Sequence, residues 1–184
     1  MDNIKYNMQC FEKQKDKYEE EYRRYMATCL EEKQKNRATT LILTTEEFDM
    51  IDALRQAIHA AIVLLDNVKI RDNTEKKFLS GIRYINNIFK HSRQAFEVSH
   101  ISQAGFHLEC KVDDKKGINI TDVKLVPALL FGDLDQVSMT HNITTKERNI
   151  ILRQKANYIS EIKGKDTVLV LDILGTLLQK YCVE

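Results

Sequence analysis

The stretch TTEEFDMIDALRQAIHAAIVLLDNV, residues 44–68, carries the strongest helical signal in the chain. Thr44 followed by Glu47 forms a capping-box pattern, in which each side chain bonds a backbone N–H at a helix start. Apolar residues then recur at helical spacing, at Ile51, Leu54, Ile58, Ile62, Leu65 and Val68. This spacing predicts a helix with one buried face. We expect a packed or hydrogen-bonded structural role, rather than a ligand role, for the lone His59.

Similar patterns predict a helix on each side of this stretch. Residues 3–37 predict one long helix, with a seam formed by Ile4, Met8, Phe11, Lys15, Tyr18, Tyr22, Tyr25 and Cys29. Because this seam is rich in Tyr and interrupted by Lys15, it favours a bundle helix over a coiled coil. Residues 72–96 predict a helix capped by Asp72, and its core face comprises Phe78, Ile82, Ile85, Phe89 and Phe96.

The pattern changes after residue 97, where β-branched residues alternate with polar ones. We predict a β-hairpin that pairs Phe106–Val112 with Ile118–Val126, joined by the turn signal DDKKG. Pro127 either ends this hairpin or lies on an edge strand. A lone hairpin is marginally stable, so it should pack on the helices or pair with another copy of the chain.

Helical signals return in the last forty residues. Thr144 and Glu147 repeat the capping-box pattern, and Gly164 is a good helix stop. Asp166 then caps TVLVLDILGTLLQKYCVE, whose buried face comprises Val170, Leu174, Leu177 and Tyr181, widened by Leu171 and Leu178. The continuous apolar run at 167–174 fits either a helix or a strand. Gly175, inside the segment capped by Asp166, indicates a close contact with a neighbouring element.

These elements together predict a mainly α fold, a helical bundle with a small β-hairpin insertion and C-terminal helices. We expect one domain over 1–184, made of an N-terminal helical part (1–97), a hairpin region (98–135) and C-terminal helices (144–184). The composition agrees with this fold. The chain of 184 residues is 43% hydrophobic and contains one Pro and six Gly, which favours long helices around a real core.

Composition also narrows the classes of function. The net charge is +1, so no global field attracts nucleic acid or anionic lipid, and such contact requires a local patch. The four Cys are widely spaced, which indicates reduced thiols in a cytoplasmic protein. We expect no signal peptide, no membrane span, no metal and no cofactor. Signatures of phosphate-binding loops, dinucleotide-binding folds, serine hydrolases and zinc proteases are absent from the sequence.

The stretch GIRYINNIFKHSRQAF, residues 81–96, combines a helical core face with many polar side chains. On a helical wheel, Arg83, Asn87, Lys90 and His91 fall opposite the apolar face, and Asn86 and Arg93 flank it. Arg83, Asn87 and His91 are successive i, i+4 neighbours, so their side chains can touch.

A helix bundle with the run NNIFKH, residues 86–91, resembles the HEPN superfamily. Its signature is Arg, a polar residue that is often Asn, a few variable residues and then His. The resemblance covers roughly residues 44–96, with Asn87 at the polar position and His91 at the His position. Members with the intact signature are typically metal-independent ribonucleases of toxin–antitoxin and phage-defence systems, and two copies of the motif usually meet across a dimer cleft.

The resemblance implies catalytic roles for His91 and Asn87. Arg83 is added to the predicted catalytic set as a cation one turn earlier, outside the family's spacing, and Lys90 and Arg93 are predicted to bind nucleic acid through their charge. His91 would act as general base on a ribose 2′-hydroxyl, and the cations would hold the phosphate. Asn86, however, occupies the family's Arg position, and Asn cannot supply the charge that Arg gives to phosphate. This departure favours a solvated helix face without a ligand, or a non-catalytic interface, over catalysis. The expected partners are a second copy of the chain, RNA or another protein, and the alternative function is a protein interaction module or a regulator.

Overall fold

The computed structural model describes residues 2–34, 45–91, 102–112, 120–132, 134 and 144–183. These ranges contain α1 (Asp2–Gln34), α2 (Thr45–Leu65), α3 (Asn73–His91), β1 (Ser102–Val112), β2 (Ile120–Phe131), α4 (Thr145–Glu161) and α5 (Thr167–Leu178). A single π-helical turn, Gln179–Val183, continues α5. The predicted class is confirmed: the protein is mainly helical, with a small β insertion and helices at its C-terminal end.

Several helix ends follow the predicted caps. The Asp72 carboxylate accepts hydrogen bonds from the backbone N–H groups of Thr74 and Glu75, at 2.8 and 2.9 Å. Thr144 and Glu147 form the complete capping box at the start of α4. Asp166 accepts from the Val168 N–H at 2.7 Å and caps α5. The capping box predicted at Thr44 and residues 92–96 of the third predicted helix lie outside the described residues.

Gly164 ends α4 in the way expected of a helix stop. Its φ of 81° lies in the left-handed region, where a side chain would be strained. The following turn leads directly to the cap of α5, so α4 and α5 are joined tightly.

The Tyr-rich seam of α1 faces the core of the bundle. Phe11 and Tyr18 are fully buried, and Tyr22 and Tyr25 are half-buried. Lys15, which interrupts the seam, forms an ion pair of 2.7 Å with Asp172 of α5. The hydrogen bond to Asp172 also raises the pKa of Lys15 above its ordinary value. The interpretation of α1 as a bundle helix is therefore correct.

α3 packs closely against the end of α4 at Gly81. A Cβ atom added to Gly81 would lie 2.7 Å from Ile162 Cδ1 and 3.0 Å from the Tyr158 backbone. A side chain at position 81 would therefore require the Ile162 side chain to move and would crowd the Tyr158 backbone. A Cβ atom added to Gly175 would lie 3.6 Å from Phe11 Cε1, which is an ordinary van der Waals distance, so the contact predicted there is not tight.

The ambiguous run at 167–174 is a helix. Six of the residues in α5 are buried, namely Thr167, Val170, Leu171, Leu174, Leu177 and Leu178. Buried apolar side chains from α1, α2, α3, α5 and the end of β2 belong to one hydrophobic core, which Tyr158 of α4 also joins. Within the described ranges, no helix is long and apolar enough to cross a membrane.

The two strands form one antiparallel hairpin that is longer than predicted. β1 pairs with β2 from Ser102 opposite Phe131 to Val112 opposite Ile120, with a register shift between Glu109 and Lys111. Pro127 lies opposite Phe106, and the strand continues beyond it. The edge-strand alternative for Pro127 is therefore correct. The turn DDKKG lies outside the described residues.

The last residues of β2 attach the hairpin to the helices. The Phe131 N–H donates to the Lys165 carbonyl at 2.9 Å, and the Gly164 N–H donates to the Phe131 carbonyl at 2.8 Å. The buried Tyr158 hydroxyl donates to the Gly132 carbonyl at 2.5 Å. These bonds extend β2 past its predicted end, because the α4–α5 turn supplies partners for its backbone.

Candidate ligand groove beside the third helix

The polar residues of α3 do not form one continuous surface of unpaired side chains. Arg83 donates from Nε and Nη2 to Asp66 Oδ1, at 2.9 and 2.7 Å. Asp66 directly follows α2, so this ion pair ties α3 to the end of the preceding helix. The cation proposed to hold phosphate therefore already has a carboxylate partner.

Asn87 lies between two helices. Its Nδ2 donates to Gln154 Oε1 of α4 at 3.2 Å, and the residue is half-buried. The prediction placed Asn87 opposite the core face, but α4 packs against that side of α3. Asn87 therefore contributes to packing between α3 and α4.

The remaining predicted site residues lie at the end of α3. Lys90 is exposed, and His91 is the last residue of the helix. The His91 side chain and all of Arg93 lie outside the described residues, so the predicted convergence of His91 with a cation stays a prediction.

Asn86, which the resemblance to the HEPN signature places at its Arg position, is 3% exposed. Its side chain forms no hydrogen bond to any residue in the described part of the chain. A buried carboxamide without a partner costs about 1–3 kcal/mol, because it has lost water and gained nothing in exchange. Most buried polar groups are satisfied, so Asn86 requires a specific explanation.

Asn86 lines an open groove of about 480 Å³ between α1, α2 and α3. This volume falls within the roughly 300–1,000 Å³ typical of small-molecule sites. α3 also contributes Phe89 and Lys90, which lie three and four positions after Asn86 and therefore on the same side of the helix. The groove therefore contains part of the predicted motif, on the side of α3 that faces α1 and α2.

The other two helices give this groove a polar character. α1 contributes Asn7, Cys10 and Gln14. α2 contributes Arg55, Gln56, His59, Ala60 and Val63. Four carboxamides thus line the groove, and its lining among the described residues includes no carboxylate.

The charge of the groove is moderately positive. Arg55 pairs with Asp52 on the same helix, and Gln56 donates to the other oxygen of that carboxylate. Lys90 is exposed at the groove. His59 is exposed as well, so the prediction that it is a packed structural residue is wrong. Its position one turn after Arg55 on α2 leaves it outside the buried face.

A second polar cluster lies where α1, β2 and α5 meet. Tyr18 and Thr167 share a buried hydrogen bond of 2.5 Å. Tyr22 donates to Asp166 at 3.2 Å and accepts from the Leu129 N–H at 3.3 Å. Burial and the Asp166 charge raise the pKa of Tyr22 to about 12. These groups satisfy one another, so the cluster is a structural junction.

The C-terminal turn is tied to the start of α3. Glu75 accepts from Lys180 Nζ at 2.7 Å and from the Tyr181 hydroxyl at 2.6 Å. Those two hydrogen bonds lower the pKa of Glu75. Among the described residues, no group of three His, Cys, Asp or Glu side chains is placed to hold a metal ion.

Sequence reasoning did not identify the α1 and α2 residues of the groove. The spacing of Arg55 and His59, one turn apart on a helix, was the available signal for a shared polar side. Asn86 was interpreted only as a replacement for Arg, because its burial depends on how three helices pack. No protein-family model, curated protein or solved structure significantly matches the chain.

Proposed function

We propose that the protein is a HEPN-like helical module that binds single-stranded RNA in the groove between α1, α2 and α3 without cleaving it. A cytoplasmic phage-defence or toxin-type setting belongs to the same proposal and rests on the resemblance of residues 86–91. The observation that carries the proposal is the groove itself. It combines the exposed cation of Lys90 with four carboxamides, of which Asn86 is buried and has no hydrogen-bond partner among the described residues, and its described lining has no carboxylate.

The polar lining supports binding of a nucleic acid strand. Lys90 provides a charge for a phosphate, and such contacts supply most of the sequence-independent affinity for nucleic acid. Carboxamides supply both donors and acceptors, which suit sugars and base edges. An open groove also accepts an unpaired strand more readily than a duplex.

The positions of the motif residues support binding over cleavage. Arg83 is held by Asp66, and Asn87 is held by Gln154. Asn86 provides no permanent charge where the family has Arg. A phosphoryl transition state depends on preorganised positive charge, so this arrangement lacks the group that cleavage needs most.

The binding proposal is tested with Lys90→Glu and a matched control, Lys77→Glu. Lys77 is exposed on the same helix, more than three turns away. We expect Lys90→Glu to weaken binding of a short single-stranded RNA about tenfold and to reduce its salt dependence, since one phosphate contact is lost. Lys77→Glu should bind as the wild type does. Absence of RNA binding by the wild-type chain at low salt would refute the proposal.

The absence of cleavage is tested separately. Wild-type protein and Asn86→Arg are incubated with labelled RNA in the presence of a chelator, with His91→Ala as the inactive control. We expect no cleavage by the wild type, whereas Asn86→Arg, which restores the family pattern, should create a cleavage activity. Wild-type cleavage that His91→Ala abolishes would overturn the non-catalytic part of the proposal.

A second candidate function is protein interaction, including self-association. Leu152 and Ile159 lie seven residues apart on α4 and are 54% and 47% exposed. Residues at this spacing share one side of a helix, and a contiguous exposed apolar patch marks a protein interaction site. Light scattering at micromolar concentration tests for a homodimer. If a dimer forms through α4, Leu152→Asp should produce a monomer of 21.4 kDa, the mass of one chain.

A further inference from the structure

We infer that the groove accepts one nucleobase, whose hydrogen-bonding edge pairs with the Asn86 carboxamide. The inference deepens the proposed RNA binding and rests on it for the source of the base. Its starting point is the 3% exposure of Asn86 and the lack of a hydrogen-bond partner in the described part of the chain. A ligand with a complementary edge would satisfy this amide, and the cost of its burial would then be recovered on binding.

The chemistry of a carboxamide limits the ligand. Its oxygen accepts and its NH₂ group donates, so it pairs best with a planar edge that presents a donor next to an acceptor. Nucleobases have such edges, and pairing of Asn or Gln with adenine through N6 and N7 is a recurrent example. A phosphodiester group offers acceptors only and would leave the Asn86 oxygen unpaired.

The walls of the groove also suit a base. Ala60, Val63 and Phe89 form an apolar side, which can contact the face of a flat ring. Asn7 and Gln14 on α1 provide further polar groups on the opposite helix. Lys90, one turn beyond Asn86, is placed to meet a phosphate attached to the same nucleotide. Base and phosphate are thus recognised by separate residues of α3.

The same chemistry fits a free nucleotide and a nucleotide within RNA, and the experiment separates them. The full chain is titrated calorimetrically with the four nucleoside monophosphates and with ribose 5-phosphate, which has no base. It is also titrated with single-stranded RNA and with the same strand carrying abasic positions. We expect adenosine monophosphate to bind about 5- to 150-fold more tightly than ribose 5-phosphate, since one bidentate contact contributes about 1–3 kcal/mol.

Two variants at position 86 identify the contact. Asn86→Leu should lose the preference for ligands that carry a base. Asn86→Asp presents acceptors only, so preference should shift towards guanine, whose N1–H and N2–H both donate. Asn157→Asp is the matched control, because this amide lies on α4 and already bonds Ser80 at 2.9 Å. Thermal unfolding of each variant checks that it is folded, and the comparison of base with no base needs the wild type alone.

The outcomes distinguish the inference from the proposed function. Equal affinity for normal and abasic RNA would overturn the nucleobase inference while leaving RNA binding intact. Binding of free nucleotides without binding of RNA would support the inference and refute the RNA proposal. Absence of binding to both would refute both. An unchanged base preference in folded Asn86→Asp would exclude Asn86 as the contact and would overturn the inference.

Discussion

Thr167 and Asn86 are the two buried polar side chains, other than tyrosines, in the described part of the protein, and their surroundings differ. Thr167 is 1% exposed and bonds the Tyr18 hydroxyl. Asn86 is 3% exposed and has no hydrogen-bond partner within the described residues. Thr167 lies at a junction of three elements, whereas Asn86 lies at the wall of a groove.

The difference separates a polar group used for structure from one available for a ligand. A buried hydrogen bond contributes about 0.5–1.5 kcal/mol net, but a buried group without a partner costs about 1–3 kcal/mol. The Tyr18–Thr167 pair therefore stabilises the junction, and the Asn86 amide destabilises the unliganded chain. Such a cost is tolerated most readily where binding recovers it, which is why the two sites should respond oppositely to apolar substitution.

Phe89→Ala should produce the largest loss of stability, because Phe89 belongs to the hydrophobic core as well as to the groove wall. Phe89 is 2% exposed beside the groove, and its truncation should cost about 3–5 kcal/mol of unfolding free energy. Lys90→Ala, at the next position, should be near neutral because that side chain is exposed. Urea denaturation measures both. Equal midpoints for the two variants would refute the helical phase of α3 that defines the groove.

Tyr18→Phe should produce the next largest loss of stability, because it breaks the buried hydrogen bond between Tyr18 and Thr167. Loss of the hydroxyl leaves Thr167 buried without its partner, which should cost about 1–3 kcal/mol. The double variant Tyr18→Phe with Thr167→Val replaces both partners by apolar groups and should recover part of this loss. Additive losses in the urea midpoints would contradict the pairing of these two side chains.

Asn86→Leu should have a smaller effect on stability, and it should raise the stability instead of lowering it. Removal of an unpartnered amide from a buried position should stabilise the unliganded protein by up to about 1 kcal/mol. Leu also has the higher helix propensity. Thr167→Val is the corresponding change at the Tyr18–Thr167 hydrogen bond, and it should lower the stability of the protein. A loss of stability in Asn86→Leu as large as that in Thr167→Val would remove the distinction between the two sites.

Local sequence signals predicted most of the fold because the determinants are short-range. The caps at Asp72, Thr144 and Asp166 each involve residues two or three positions apart, and all three are confirmed. The length of β2 was missed because its last residues bond to the turn at 164–165, more than thirty positions away. The choice of helix for 167–174 likewise needed the core that α5 enters, since a continuous apolar run satisfies either structure.

The candidate site was less predictable because its partners are distant in sequence. The helical wheel of α3 correctly grouped Arg83 with Asn87, but not their partners Asp66 and Gln154, which lie 17 and 67 positions away. The groove joins residues from Asn7 to Lys90. Local periodicity indicates which side chains share a helix face, and it does not indicate which helix covers that face.

The smallest expected effect is a loss of stability at alkaline pH, which arises from Tyr22 at the junction of α1, β2 and α5. Burial, and then the charge of Asp166, raise the pKa of Tyr22 from its ordinary 10.0 to about 12. Between these values the unfolded chain loses the Tyr22 proton while the folded chain keeps it, so stability falls as pH rises through this window. Below the ordinary pKa the contribution is fully present. Burial also raises the pKa of Tyr18, which extends the loss to higher pH.

Tyr22→Phe removes the titrating group and should make the fall in stability with pH shallower across this window. The free energy of unfolding below this window should also be lower, because the hydrogen bonds to Asp166 and Leu129 are lost. Urea midpoints measured in steps above the ordinary tyrosine pKa give the slope for wild type and variant. Phenolate absorbance of the folded wild type should show that Tyr22 ionises later than exposed tyrosines. Equal slopes would indicate that Tyr22 titrates as a solvated side chain, and the junction would then be as open to water as the groove beside Asn86.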